Sequence, residues 1–117
     1  MSIFTIISAI LVALEFFYIM YLETFATASK ITARVFNMTQ EELEREAVNN
    51  LFKNQGVYNG LIAVLVLLAV FTQDSFWMAI FMIYIILVAV YGAMTSDLKI
   101  LFKQGGLAIL TLISLFF

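Results

Sequence analysis

The chain has 117 residues, 64% of them hydrophobic and 12% charged, with a net charge of −2 and no Cys, His or Pro. An ordinary soluble domain is roughly 45–50% apolar and about 25% charged, so this chain carries more apolar surface than a soluble fold of its size hides. The inventory excludes disulfides, thiol nucleophiles, Ser-His-Asp chemistry, haem ligation by His and zinc sites with N or S ligands, and the charge leaves no nucleic-acid footprint.

Length allows a single domain, 1–117. Lipid is the solvent in which such a composition is stable. The expectation is an all-α, four-transmembrane-helix bundle, with a cytoplasmic amphipathic helix between spans 1 and 2.

The first span is 3–22. At 1.5 Å per residue it covers about 30 Å, one hydrocarbon thickness. A cleaved signal peptide is the rival reading, because Ala26-Thr27-Ala28 resembles a small-x-small site. Three features oppose it: the opening MSIFT has no Lys or Arg, the run exceeds a usual apolar signal core, and Glu15 lies inside it.

The polar segment 23–54 follows, with Glu41, Glu42, Glu44 and Glu46 clustered in it. Thr39 and Glu42 fit a capping box. Leu43, Ala47, Val48, Leu51 and Phe52 recur at helical spacing. A helix is therefore predicted from about residue 40, lying on the bundle or the headgroups and running on towards the next span. Its acids read as a solvated face.

The second span is 55–72 and the third 76–95, joined by a tight turn at 73–75. Phe76 and Trp77 suit the membrane interface. The fourth span is 100–117, with Lys103 near its start able to snorkel to the headgroups. Lys30, Arg34, Arg45 and Lys53 lie in the first connection and Lys99 and Lys103 at the third, and these are all the Lys and Arg in the chain. The positive-inside rule then puts both connections in the cytoplasm and both termini outside a plasma membrane.

Depth along the spans groups the polar residues. Counted from the outer ends, Glu15 lies about 18 Å deep, Asn59 and Gln104 about 20 Å and Tyr91 about 22 Å. Tyr18, Tyr21 and Glu23 continue towards the cytoplasm. Gln55, Tyr58 and Asn59 share one face of the second span, and Tyr84, Val88, Tyr91 and Thr95 one face of the third. The outer half is nearly all aliphatic and aromatic. The expected site is a cytoplasm-facing polar cavity with Glu15, Tyr18, Glu23, Gln55, Tyr58, Asn59, Tyr91 and Gln104 as ligand-binding candidates.

Glu15 is the sharpest residue. Insertion scales put roughly 2.5–3.5 kcal/mol on the related Asp at a membrane centre. Glu15 should therefore face the bundle and either meet donors or stay neutral. Asn59, Gln104, Tyr58 and Tyr91 are the available donors, and Lys103 and Lys53 the nearest cations. The plain alternative is an anchor that fixes helix packing. Gly56-x-x-x-Gly60 and Gly105-Gly106 suit close helix packing, within the chain or in a homo-oligomer through Gly56 and Gly60, or room for a ligand.

The same residues carry a resemblance. The segments LVALEFFYIMYLETFA, NQGVYNGLIA and KILFKQGGLAIL resemble those of a small bacterial and fungal membrane protein family, domain of unknown function 1304. The similarity covers nearly the whole chain, and the NQGxYNG string is its most specific part. Glu15, Tyr18, Glu23, Asn54, Gln55, Gly56, Tyr58, Asn59, Gly60, Gln104 and Gly105 match the pattern. Phe16 and Leu107 stand where the pattern has His and Pro, so no His-dependent chemistry carries over. The resemblance implies a four-span membrane protein and brings no activity.

The function expected is binding or carrying a small amphipathic or lipid-like molecule, with membrane lipids as surroundings and no cofactor or metal. A proton-coupled small transporter is one alternative. The strict charge bias and the absent prolines oppose it. A membrane enzyme acting on a lipid or isoprenoid is another, with Glu15 and Glu23 as acid and base. Along a regular helix those carboxylates are about 12 Å apart, too far to act on one atom. A structural or regulatory subunit is the third.

Overall fold

The computed structural model describes residues 1–117 and is all-helical. Its helices are α1 (Ile3–Met20), α2 (Lys30–Phe36), α3 (Gln40–Glu44), α4 (Glu46–Phe71), α5 (Ser75–Thr95) and α6 (Lys99–Ser114). A π-helical turn, Tyr21–Phe25, prolongs α1. Three helices are long and apolar enough to cross a membrane, as in a membrane protein: Ile3–Phe25, Glu46–Phe71 and Ser75–Thr95.

The ends of these helices follow from local chemistry. Asn37 closes α2 with φ 54°, and the Met38 amide donates to the Ala33 carbonyl at 2.9 Å. Gln73 closes α4 in the same way, with φ 53° and the Asp74 amide bonded to the Ala69 carbonyl at 3.0 Å. Both are Schellman-type ends, in which a left-handed residue turns the chain and satisfies the last carbonyls. Asp74 then caps α5 by accepting from the Trp77 amide at 3.1 Å. The turn expected at 73–75 is therefore built by Gln73 and Asp74.

Two boundaries depart most from the sequence expectation. The helix predicted from about residue 40 stops after α3. Arg45 takes an extended ψ of 132°, and α4 starts at Glu46, well before the span expected at 55–72. The capping box at Thr39 and Glu42 is present, so the start is right and the continuation is broken. The second difference is α6, which ends at Ser114 rather than Phe117. Beyond it the amides of Leu115, Phe116 and Phe117 bond three residues back, at 3.2, 3.1 and 3.2 Å. The last turn is thus tightened to a 3₁₀ form, as helix ends commonly are.

The residues form two compact units. One comprises Met1–Glu15 with Val64–Phe117, the other Phe16–Ala63. In the first, α5 buries Met78, Met82, Ile85 and Ala89, a stripe at helical spacing. It packs against α6, where a Cβ on Gly105 would sit 3.2 Å from the Ala89 Cβ. In the second, Phe16, Ile19, Leu22, Leu43, Ile62 and Ala63 are buried.

Candidate functional site

The first unit places Glu15 by a ladder of hydroxyls. Thr5, Ser8, Val12 and Glu15 recur along α1 at three- and four-residue steps and form one stripe. Thr5 and Ser8 meet Ser114 and Thr111 of α6: Thr5 Oγ1 lies 2.6 Å from Ser114 Oγ, and Thr111 Oγ1 lies 2.9 Å from Ser8 Oγ. The proton order follows from the acceptors. Ser114 donates to the Thr111 carbonyl at 2.6 Å, so Thr5 donates to Ser114 and Ser2 to Thr5 at 2.9 Å. Thr5 and Thr111 are wholly enclosed. These hydroxyls stand in the half of the spans expected to be nearly all aliphatic and aromatic, and the Thr5–Ser8 and Thr111–Ser114 pairs at i, i+3 are the signal that reveals them.

These two contacts define an antiparallel register, since three residues forward on α1 answer three residues back on α6. Seven residues further along each helix stand Glu15 and Gln104. Seven residues are two turns, about 10.5 Å, with a drift of only about 20° around the axis. Continued over those two turns, the register of the hydroxyl contacts brings Glu15 and Gln104 to one level of the pair. Glu15 Oε1 is fully enclosed and has no hydrogen-bond partner.

The other candidates of this unit lie apart from that stripe. Tyr91 is 69% exposed, on the side of α5 away from Met82, Ile85 and Ala89, and Tyr84 and Val88 share that exposed face. The two adjacent glycines separate: Gly105 is the close approach to α5, whereas a Cβ on Gly106 would meet nothing within 4 Å.

The second unit is built around Glu23. In the π-helical turn the Ala26 amide bonds to the Tyr21 carbonyl, five residues back, at 2.9 Å. The wider turn loosens the carbonyl ladder, and threonines complete it. Thr27 donates to the Glu23 carbonyl at 2.7 Å, and the Thr32 hydroxyl sits 2.7 Å from the Ala26 carbonyl and 3.2 Å from that of Leu22. Ser29 caps α2 and so holds Thr32 in place.

The Glu23 side chain is 5% exposed and accepts a hydrogen bond from Asn59 Nδ2 of α4 at 2.5 Å. Beside it, Thr24 donates to the Lys53 carbonyl at 3.0 Å. The glycines make this approach. A Cβ on Gly56 would collide with Thr24 Oγ1, and one on Gly60 with Met20 Sδ. Both glycine faces are thus occupied by residues of the same chain. Of the candidates here, the structure joins Glu23 with Asn59. Tyr18, Gln55 and Tyr58 are exposed. Asn59, a donor expected for Glu15, is engaged by Glu23.

A family model described as a protein of unknown function (DUF1304) matches residues 10–116. The chain is also 62% identical to the uncharacterized protein YpaA of Lactococcus lactis subsp. lactis (strain IL1403), over the whole length of both. No solved structure matches it.

Proposed function

The chain belongs to the DUF1304 family, and from this membership and the placement of its carboxyls we propose that it is a four-span plasma-membrane protein that binds or carries a small amphipathic molecule at a cytoplasm-facing polar site around Glu15. The observation that carries the reading is the enclosed, unpartnered Oε1 of Glu15 in a helix apolar enough to cross a membrane. A polar atom in hydrocarbon needs a partner, and intramembrane ionisable residues mark binding or transport sites by default. Gln104, on the same level of α6, is the second polar group of the site.

The fourth crossing is α6. Its 16 helical residues rise about 24 Å, and the 3₁₀ turns after Ser114 add about 6 Å, which together match a hydrocarbon thickness. The charges support the orientation. Every Lys and Arg falls between α1 and the apolar part of α4, or at the start of α6. Both termini and the 73–75 turn are then outside.

The test is organic extraction of the purified full-length protein followed by mass spectrometry. An amphiphile should be recovered in equimolar amount from the wild type and be lost from Glu15→Gln. Recovery of the same lipids in the same amounts from both proteins would contradict the reading.

A further inference from the structure

We propose that the Glu15–Gln104 level of the α1–α6 pair receives the protonated primary amine of a single-chain amphiphile. This inference rests on the binding role proposed above and names the headgroup. The register of the hydroxyl ladder brings the two residues to one level of the pair, two turns from Ser8 and Thr111. What the carboxyl needs there is a donor, because its Oε1 is enclosed without one.

No charged group of this unit reaches Glu15 Oε1. Asp74 caps α5 through the Trp77 amide, and Asp97 accepts from the Lys99 amide at 3.0 Å. Lys103 is exposed and, one residue from Gln104, points about 100° away from the α1-facing stripe. The N-terminal amine reaches Gln73 Oε1 at 3.4 Å, near the α4–α5 turn. A ligand cation would therefore be the counter-charge of Glu15.

A primary ammonium fits both requirements. It cancels the carboxylate charge, which lowers the cost of holding that charge in hydrocarbon. It also brings three N–H donors, one for Glu15 Oε1 and one for the Gln104 carbonyl oxygen. An alcohol offers a donor without the charge. A quaternary ammonium offers the charge without a donor. The tail remains in the apolar layer that surrounds the helices.

The experiment is native mass spectrometry of the full-length protein in maltoside micelles, titrated with dodecylamine, dodecanol or dodecyltrimethylammonium. Dodecylamine should bind the wild type most tightly. Glu15→Gln, which keeps the shape and removes the charge, should weaken it roughly ten- to a hundredfold, the range for one charge-assisted hydrogen bond. Gln104→Met should weaken it less, and this variant carries the test if Glu15→Gln does not fold. Equal dodecylamine affinity in wild type and Glu15→Gln, or in wild type and Gln104→Met if only that variant folds, overturns the proposal. If dodecanol or the quaternary ammonium binds as tightly as the amine and depends on Glu15, the headgroup assignment falls while the binding role stands. If no amphiphile depends on Glu15, both fall together.

Discussion

Gly56 and Gly60 show how a residue with no side chain sets the position of one with a carboxylate. Their missing Cβ atoms let α4 approach the end of α1, and that approach brings Asn59 within 2.5 Å of Glu23. The two glycines differ in what opposes them. Gly56 faces Thr24, whose hydroxyl is tied to the Lys53 carbonyl and whose backbone nitrogen lies 3.0 Å from the added Cβ. Gly60 faces the flexible end of Met20. Met side chains adapt by rotating, while backbone does not. Gly56→Ala should therefore cost about 1–3 kcal/mol, as overpacking does, and Gly60→Ala clearly less. Equilibrium unfolding in mixed micelles checks the order. At the same scale the NQGxYNG string shows its physical content: the glycines make the contact and the last Asn of the string makes the hydrogen bond.

At the scale of elements, the α1–α6 pair is held by hydroxyls rather than by apolar packing alone. Interhelical hydrogen bonds in membranes average about 0.6 kcal/mol and reach about 1.7. Thr111→Val keeps the shape and removes the bond to Ser8, so it should lower stability by an amount in that range. A loss near zero would mean that the ladder is only packing. The short helix α3 makes a different prediction. The Thr39 amide donates to Glu42 Oε1 at 3.0 Å and the Thr39 hydroxyl at 3.1 Å, and Arg45 adds attraction, so the Glu42 pKa is lowered from its ordinary 4.5. A lowered carboxyl pKa stabilises the fold fully above the unfolded value, and this contribution is lost as pH falls through the folded value. The Thr39 amide resonance should therefore titrate with a midpoint below 4.5, and Thr39→Ala should move the Glu42 midpoint back towards it.

The elements also show what a sequence carries and what it does not. The long helices are legible because lipid burial demands long apolar runs, and α3 because a capping box has a fixed spacing. The π-helical turn is invisible, since no residue type in Tyr21–Phe25 marks a shift from four- to five-residue bonding. The break at Arg45 is hidden for a similar reason: the apolar spacing from Leu43 to Phe52 is continuous across it. Depth along the spans groups Glu15, Asn59, Gln104 and Tyr91 in one layer, but depth alone does not say which carboxylate Asn59 donates to. That choice depends on how closely two helices approach, which Gly56 and Gly60 decide in three dimensions.

At the scale of the whole molecule, the proposal depends on four crossings and on their direction. A site near Glu15 that opens to the cytoplasm requires the α2–α3 region and the start of α6 to share the cytoplasmic side. It also requires both termini to lie outside. The chain has no cysteine, so single cysteines report position cleanly. The most direct measurement is labelling of Ser2→Cys, Asn37→Cys, Gln73→Cys and Phe117→Cys with a membrane-impermeant maleimide on intact cells. The account predicts that positions 2, 73 and 117 label from outside and that position 37 labels only after permeabilisation. Labelling of Asn37→Cys on intact cells, or of Phe117→Cys only after permeabilisation, would contradict it.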